Sequence, residues 1–124
     1  MKELDLIKHA LKAQKNSQSK FSNFPVGSAI LCQDGTVIYG CNIESAVYPS
    51  TLCAERVAIY SALSQGYTKF KSIAIVSNSN AKPCGSCRQI IYEYLGDIPI
   101  YISDSNGKEF STHFIEDLLP YPFG

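Results

Sequence analysis

Two short runs hold the residues best suited to chemistry: Cys53-Ala54-Glu55 and, further along, Pro83-Cys84-Gly85-Ser86-Cys87. Together they supply three soft sulfur ligands and one carboxylate. Thiolates suit zinc, which favours tetrahedral coordination, and three protein ligands leave a fourth position for water, the arrangement that separates catalytic from structural zinc. Cys84 and Cys87 are three apart and share one face of a helix, so Cys53 has to arrive from a second helix start. Helix N-termini present unsatisfied N–H groups and the positive end of the macrodipole, both of which favour thiolate over thiol. Three thiolates outweigh the charge of one Zn²⁺ and make a bound water less acidic than a histidine-rich site would. Arg56 and Arg88, each beside a ligand-bearing turn, could offset that charge through N–H bonds to sulfur, and Arg56 is the favoured candidate.

Glu55 has a bland explanation, since acidic residues are common in a helix's first turn. Beside zinc-activated water it has a sharper one: a carboxylate there can take a proton and pass it to a ring nitrogen and then to a leaving amine. A redox dithiol and a closed structural zinc site compete for the Cys84–Cys87 pair. Redox chemistry needs neither Cys53 nor Glu55, and a structural site wants a fourth Cys or His, whereas His9 and His113 stand near opposite ends of the chain with no ligand motif around them. Catalytic zinc, one ion per chain, is the reading these residues support. Both histidines are read as surface or packing residues.

The elements that must position these groups follow from pattern. Leu4, Ile7, Lys8 and Leu11 at helical spacing predict a first helix over 4–13. Residues 26–31 and 37–39 flank Asp34-Gly35 and predict a hairpin; a two-residue turn sets Cys32 opposite Val37 and Cys41 opposite Ser28, so the two cysteines are not cross-strand partners. A second helix over 53–63, capped by Ser50 or Thr51 and stopped at Gly66, carries Cys53 and Glu55 in its first turn. A buried strand over 73–76 feeds the polar loop 77–80, and a third helix over 84–95 ends at Gly96. A fourth strand over 98–102, a short fifth near Phe110 and a last helical turn or two over 113–119 complete the order. Helices alternating with strands, behind a leading hairpin, imply an α/β fold: a three-layer α/β/α sandwich on a mixed five-stranded sheet, as one domain over 1–124. Helix starts gather beside strand ends in such a layout, so both cysteine-bearing starts can meet in one crevice.

Composition narrows the function. The 124 residues are 45% hydrophobic, enough for a real core, and eleven Lys and Arg balance eleven Asp and Glu. Zero net charge without a basic run disfavours nucleic acid as partner. No stretch reaches the length of a membrane span and the N-terminus is unlike a signal peptide, which points to a soluble cytoplasmic protein. Five cysteines, an odd number, argue against a disulfide framework.

Four motifs, in this order, resemble the small homotetrameric cytidine deaminases over essentially the whole length: Phe24-Pro25-Val26-Gly27, Gly40-Cys41-Asn42-Ile43-Glu44, Cys53-Ala54-Glu55-Arg56 and Pro83-Cys84-Gly85-Ser86-Cys87-Arg88-Gln89. The resemblance implies zinc on Cys53, Cys84 and Cys87, proton transfer by Glu55, ribose hydroxyls on Asn42 and Glu44, the pyrimidine against Phe24, and the backbone at Ala54 facing the base edge. It further implies that Tyr48 and Phe123 cross between subunits to complete neighbouring sites of a homotetramer. The implied reaction is hydrolytic deamination of cytidine and 2′-deoxycytidine, in pyrimidine salvage, by zinc-activated water. Departures from the family pattern are Phe21-Ser22 for the usual Tyr-Ser, Ser45 for Asn, and the lead from Pro49 to Leu52. The alternatives are deamination of a related aminopyrimidine nucleoside such as blasticidin S, and a zinc-stabilised binding module without catalysis.

Overall fold

The computed structural model describes residues 1–124. In chain order the elements are α1 (Glu3–Gln14), β1 (Val26–Cys32), β2 (Val37–Cys41), a 3₁₀ turn (Tyr48–Ser50), α2 (Ala54–Ser64), β3 (Phe70–Ser77), α3 (Gly85–Tyr94), β4 (Ile100–Asp104), β5 (Ser111–His113) and α4 (Ile115–Leu118). The strands form one sheet in the order β2-β1-β3-β4-β5. Pairing is antiparallel except between β3 and β4, which run parallel because α3 carries the chain across between them.

The central strands read as near-continuous apolar runs because both of their faces are covered. Ile30, Cys32, Ile73 and Ile75 point to the side of α2, α3 and α4, where they join Ile59, Ile91 and Ile115. Ala29, Leu31, Ala74 and Val76 point the other way, against Leu6, Ile7 and Ala10 of α1. The result is the three-layer mixed-sheet architecture that the alternation of elements implies. The apolar stripe of α1 is rotated from its expected position: Leu6, Ile7, Ala10 and Ala13 are buried while Leu4 is exposed. Small side chains won the inner face there because α1 lies close against the sheet.

Glycines explain that closeness. A Cβ on Gly27 would stand 2.1 Å from the Ala10 carbonyl oxygen and 2.5 Å from the Gln14 nitrogen, so α1 rests directly on β1. On the opposite face a Cβ on Gly40 would stand 2.4 Å from the Ala54 oxygen and 2.5 Å from the Ala58 nitrogen, so α2 rests on β2. Both neighbours are backbone and cannot step aside.

The hairpin differs from its expected register by one residue. Leu31 pairs with Val37, Ser28 with Gly40 and Gly27 with Cys41. The Cys32 N–H donates to the Thr36 oxygen at 2.8 Å around a three-residue turn, and Gly35 at φ +94° supplies the left-handed residue such a turn needs. Cys32 and Cys41 remain unpartnered across the strands, both as free thiols. The start of α2 is also corrected: Cys53 itself is the N-cap, without a side-chain cap bond, and Thr51 instead accepts from the Ser45 N–H at 3.0 Å. β4 begins two residues later than expected, and His113 belongs to β5.

Gly40→Ala should cost about 3 kcal/mol or more, since backbone overlap has no cheap relaxation. Gly85→Ala is the control, because a Cβ there meets nothing within 4 Å. Urea unfolding of the metal-free protein reads both: a loss under about 1 kcal/mol at Gly40 would contradict the direct contact of α2 with the sheet.

Candidate active site and metal centre

Cys53 and Cys84 are the N-caps of α2 and α3, each in extended conformation (φ −72°, ψ 155° and φ −67°, ψ 168°). Neither helix has a side-chain cap bond, so the first N–H groups are left facing the region of the sulfurs. Cys87, one turn into α3, is fully buried behind them. The Cys53 and Cys84 sulfurs are 3.7 Å apart, those of Cys84 and Cys87 3.5 Å, and all three ligand atoms lie within 4.8 Å of one another. Tetrahedral coordination at the usual zinc–sulfur length of about 2.3 Å separates sulfurs by about 3.8 Å. The donor set therefore fits zinc in number, chemistry and spacing, and leaves one coordination position for another ligand.

Arg56 donates from Nη2 to the Cys53 sulfur at 3.6 Å, whereas Arg88 is committed elsewhere, donating to the carbonyls of Pro83 and Leu118 at 2.8 Å each. Without metal, a hydrogen bond from Cys87, with further help from Arg56, pulls the Cys53 thiol down to about 5. The same bond pushes Cys87 up, because that thiol is the proton donor in the pair. Arg56 is itself held more firmly charged by the Cys53 sulfur. Metal binding must therefore displace the Cys87 proton, and affinity falls as pH falls.

Glu55 is only 4% exposed, and burial pushes its carboxyl up to about 7, with the neighbouring Cys53 sulfur adding to the rise. It lines a pocket of about 240 Å³ together with Phe24, Asn42, Glu44, Cys53, Ala54 and Cys84. Lys82 is the sole cation among the lining residues. Residues from four separate parts of the sequence thus meet around one cavity.

Two of the expected substrate-binding groups are largely occupied by the protein itself. Asn42 Oδ1 accepts from the Val26 N–H at 2.9 Å and from the Ser17 hydroxyl, and its Nδ2 donates to the Phe24 oxygen at 2.8 Å. Glu44 Oε1 accepts from the N–H groups of Phe21 and Ser22 at 2.9 and 3.0 Å, and Oε2 accepts from the Ser22 hydroxyl. Those bonds hold the Glu44 carboxyl below its ordinary range, the Ser22 hydroxyl contributing most. Against the full inventory of these side chains, one N–H on Asn42 and one lone pair on Glu44 Oε2 remain free for a ligand.

Tyr48 stands outside this pocket, in a neighbouring depression with Phe21 and Glu44, and is 75% exposed. Phe123 is 87% exposed and lies away from its own chain's pocket, its backbone paired with the Gln89 amide at 2.8 and 3.1 Å. Sequence reasoning missed Ser22 as the brace of Glu44 and Lys82 as a lining cation. The first carries a signal, a serine hydroxyl beside two loop N–H groups, but its partner is distant in sequence; the second carries none.

Purified protein should hold one zinc per chain by elemental analysis, and Cys84→Ser or Cys87→Ser should release it to a chelator that leaves the parent loaded. A pH test addresses Glu55. Its folded pKa, about 7 against an ordinary 4.5, means that ionisation costs folding free energy as pH rises through that window and costs nothing below it. In metal-free protein Glu55→Gln should therefore be more stabilising at pH 8.5 than at pH 4, by about 3 kcal/mol, in urea titrations. An equal effect at both pH values would show that the carboxyl is not desolvated.

The family model described as "Cytidine and deoxycytidylate deaminase zinc-binding region" matches residues 1–101. A cytidine deaminase of Sporosarcina psychrophila is 41% identical over 121 residues, covering 95% of this chain and 88% of that protein. Another from Halalkalibacterium halodurans is 39% identical, covering 95% and 91%. The crystal structure of cytidine deaminase from Burkholderia pseudomallei superposes with a TM-score of 0.93 at 36% identity, covering 99% of this chain and all of that one. With the sulfur triad, the buried carboxylate and the sheet order all in hand, the chain belongs to the cytidine and deoxycytidylate deaminase family through its zinc-binding region.

Proposed function

We propose that this chain, a single domain over 1–124, hydrolytically deaminates cytidine and 2′-deoxycytidine to uridine and 2′-deoxyuridine, releasing ammonia. The observation that carries this reading is the buried Glu55 carboxyl, next but one in sequence to Cys53 of the three-thiol cluster, in a pocket that Phe24, Asn42 and Glu44 also line. Cys53, Cys84 and Cys87 would hold zinc, which when bound lowers the pKa of water enough to make it a nucleophile at neutral pH. Glu55 accepts the proton of the attacking water and delivers it to N3 of the base as the C4–O bond forms. It then takes the proton of the new hydroxyl and gives it to the amine as the C4–N bond breaks, so that water is consumed and ammonia leaves. A carboxyl whose pKa lies near neutrality suits both directions of that transfer. Arg56 offsets the charge of the thiolates, and Phe24 packs on the pyrimidine.

The free groups on Asn42 and Glu44 number one donor and one acceptor. A single sugar hydroxyl, accepting from Asn42 and donating to Glu44, satisfies both, so a second hydroxyl is dispensable and both ribose and deoxyribose are accommodated. Two carboxyl groups facing the pocket against one lysine disfavour a phosphorylated substrate. No helix is long and apolar enough to cross a membrane. A cytoplasmic salvage role fits a free nucleoside substrate, and zero net charge offers nucleic acid no footprint. The strongly exposed Tyr48 and Phe123 support a homotetramer in which these rings complete neighbouring sites.

Loss of the ultraviolet band of cytidine should follow incubation with zinc-loaded protein, and Glu55→Gln should lower the rate by about 10²–10⁴-fold while zinc stays bound. Turnover of cytidine and deoxycytidine should agree within about tenfold in kcat/KM. Zinc-loaded protein that leaves cytidine intact but converts blasticidin S would move the substrate assignment, and inertness toward both would leave only a binding role. Sedimentation should show a tetramer.

A further inference from the structure

The pocket wall at Phe24-Pro25-Val26 lies at the start of β1, and three of its backbone groups, the Phe24 and Pro25 oxygens and the Val26 N–H, are held by side chains. Asn42 holds the Phe24 oxygen and the Val26 N–H from the β2 side. The Pro25 oxygen is held by Gln14, whose Nε2 donates to it at 3.1 Å. Gln14 closes α1, and the direct seat of α1 on Gly27 is what brings its side chain within reach.

The same amide continues in a second direction. Nε2 carries two hydrogens: one serves Pro25, the other the Ser105 hydroxyl at 2.9 Å, and that hydroxyl donates onward to Asn78 Oδ1 at 2.6 Å. Ser105 follows β4, and Asn78 opens the loop after β3. That loop is ordered further by the Ser77 hydroxyl, which accepts the Ala81 N–H at 2.9 Å, and it delivers Ala81 and Lys82 to the pocket just ahead of Cys84. Two lining segments of the cavity, one bearing Phe24 and the other Ala81 and Lys82, are thereby joined through Gln14.

We propose that Gln14 is a positioning residue for the substrate pocket: through Pro25 and through Ser105–Asn78 it fixes the separation of these two segments. The effect on turnover rests on the nucleoside reading above, whereas the clamp itself does not. Gln14 touches neither the thiols nor Glu55, so its removal should loosen substrate binding and leave the chemical step intact.

Hydrogen–deuterium exchange on zinc-loaded protein tests the clamp without activity. Gln14→Ala should speed exchange in both 23–27 and 78–82, and Ser105→Ala in 78–82 only. An increase confined to 23–27 in Gln14→Ala, or none in either variant, overturns the coupling. In steady-state cytidine deamination Gln14→Ala should raise KM about 3- to 10-fold with kcat within about twofold, the scale of one net hydrogen bond. Gln14→Met, similar in shape but without the amide, should match Ala. An unchanged KM, or a fall in kcat alone, overturns the positioning role. Wild-type protein without cytidine turnover would sink the nucleoside reading, and the exchange result alone would then decide the clamp.

Discussion

Two helices in this chain must begin within a few ångströms of each other, and nearly everything else serves that requirement. Cys53 and Cys84 can place sulfurs 3.7 Å apart only if the N-termini of α2 and α3 converge at one end of the sheet. α2 is fixed by its seat on Gly40, where no side chain intervenes. α3 is fixed by the parallel pairing of β3 with β4, which forces a crossover and so returns the chain past the same sheet end. Extended backbone at both N-caps then turns each sulfur away from its own helix and toward the other. Capping side chains would have competed for the same N–H groups, and both helices lack them.

The convergence has an energetic cost that the fold carries elsewhere. Three sulfurs and a carboxyl are packed together, Cys87 and Glu55 buried, Cys53 partly so and Cys84 open to solvent, with Arg56 as the nearby cation. Glu55 answers by holding its proton to about pH 7, and Cys87 by staying a thiol while Cys53 ionises. The isoleucines on the α2–α3 face of the sheet offset this, each worth about 1.5–3 kcal/mol when fully buried. Local strain of this electrostatic kind is expected where protonation must change during a reaction.

Much of this was legible in sequence because it depends on short-range pattern. The order of strands and helices, the stops at Gly66 and Gly96 and the placing of Cys84 and Cys87 on one helix turn all follow from local chemistry. The hairpin register did not, because the choice between a two- and a three-residue turn around Asp34-Gly35 rests on one left-handed glycine. Neither did the α1 stripe: Leu4 and Leu11 are more apolar than Ala10 and Ala13, but the glycine seat on β1 admits only small side chains at the contact. The sequence likewise placed Asn42 and Glu44 in the pocket only by resemblance. That most of their hydrogen-bonding capacity is spent within the protein, half of it on the backbone of 21–26, could not be read, since those bonds link residues about twenty positions apart.

Those spent bonds change what the pocket residues do. A lining side chain with every polar atom free must be ordered by its ligand, at a cost in rotamer entropy that subtracts from affinity. Asn42 and Glu44 are ordered already, by the hydroxyls of Ser17 and Ser22 and by backbone groups of Phe21, Ser22, Phe24 and Val26, and each presents one remaining polar valence in a fixed direction. The same bonds that limit them to a single hydroxyl make that contact pre-organised. Phe24 gains as well: the segment that bears its ring is held by two carboxamides, Asn42 after β2 and Gln14 at the end of α1. Removing Asn42 therefore releases a wall as well as a contact, and its effect on binding exceeds that of the one hydrogen bond it can offer a ligand.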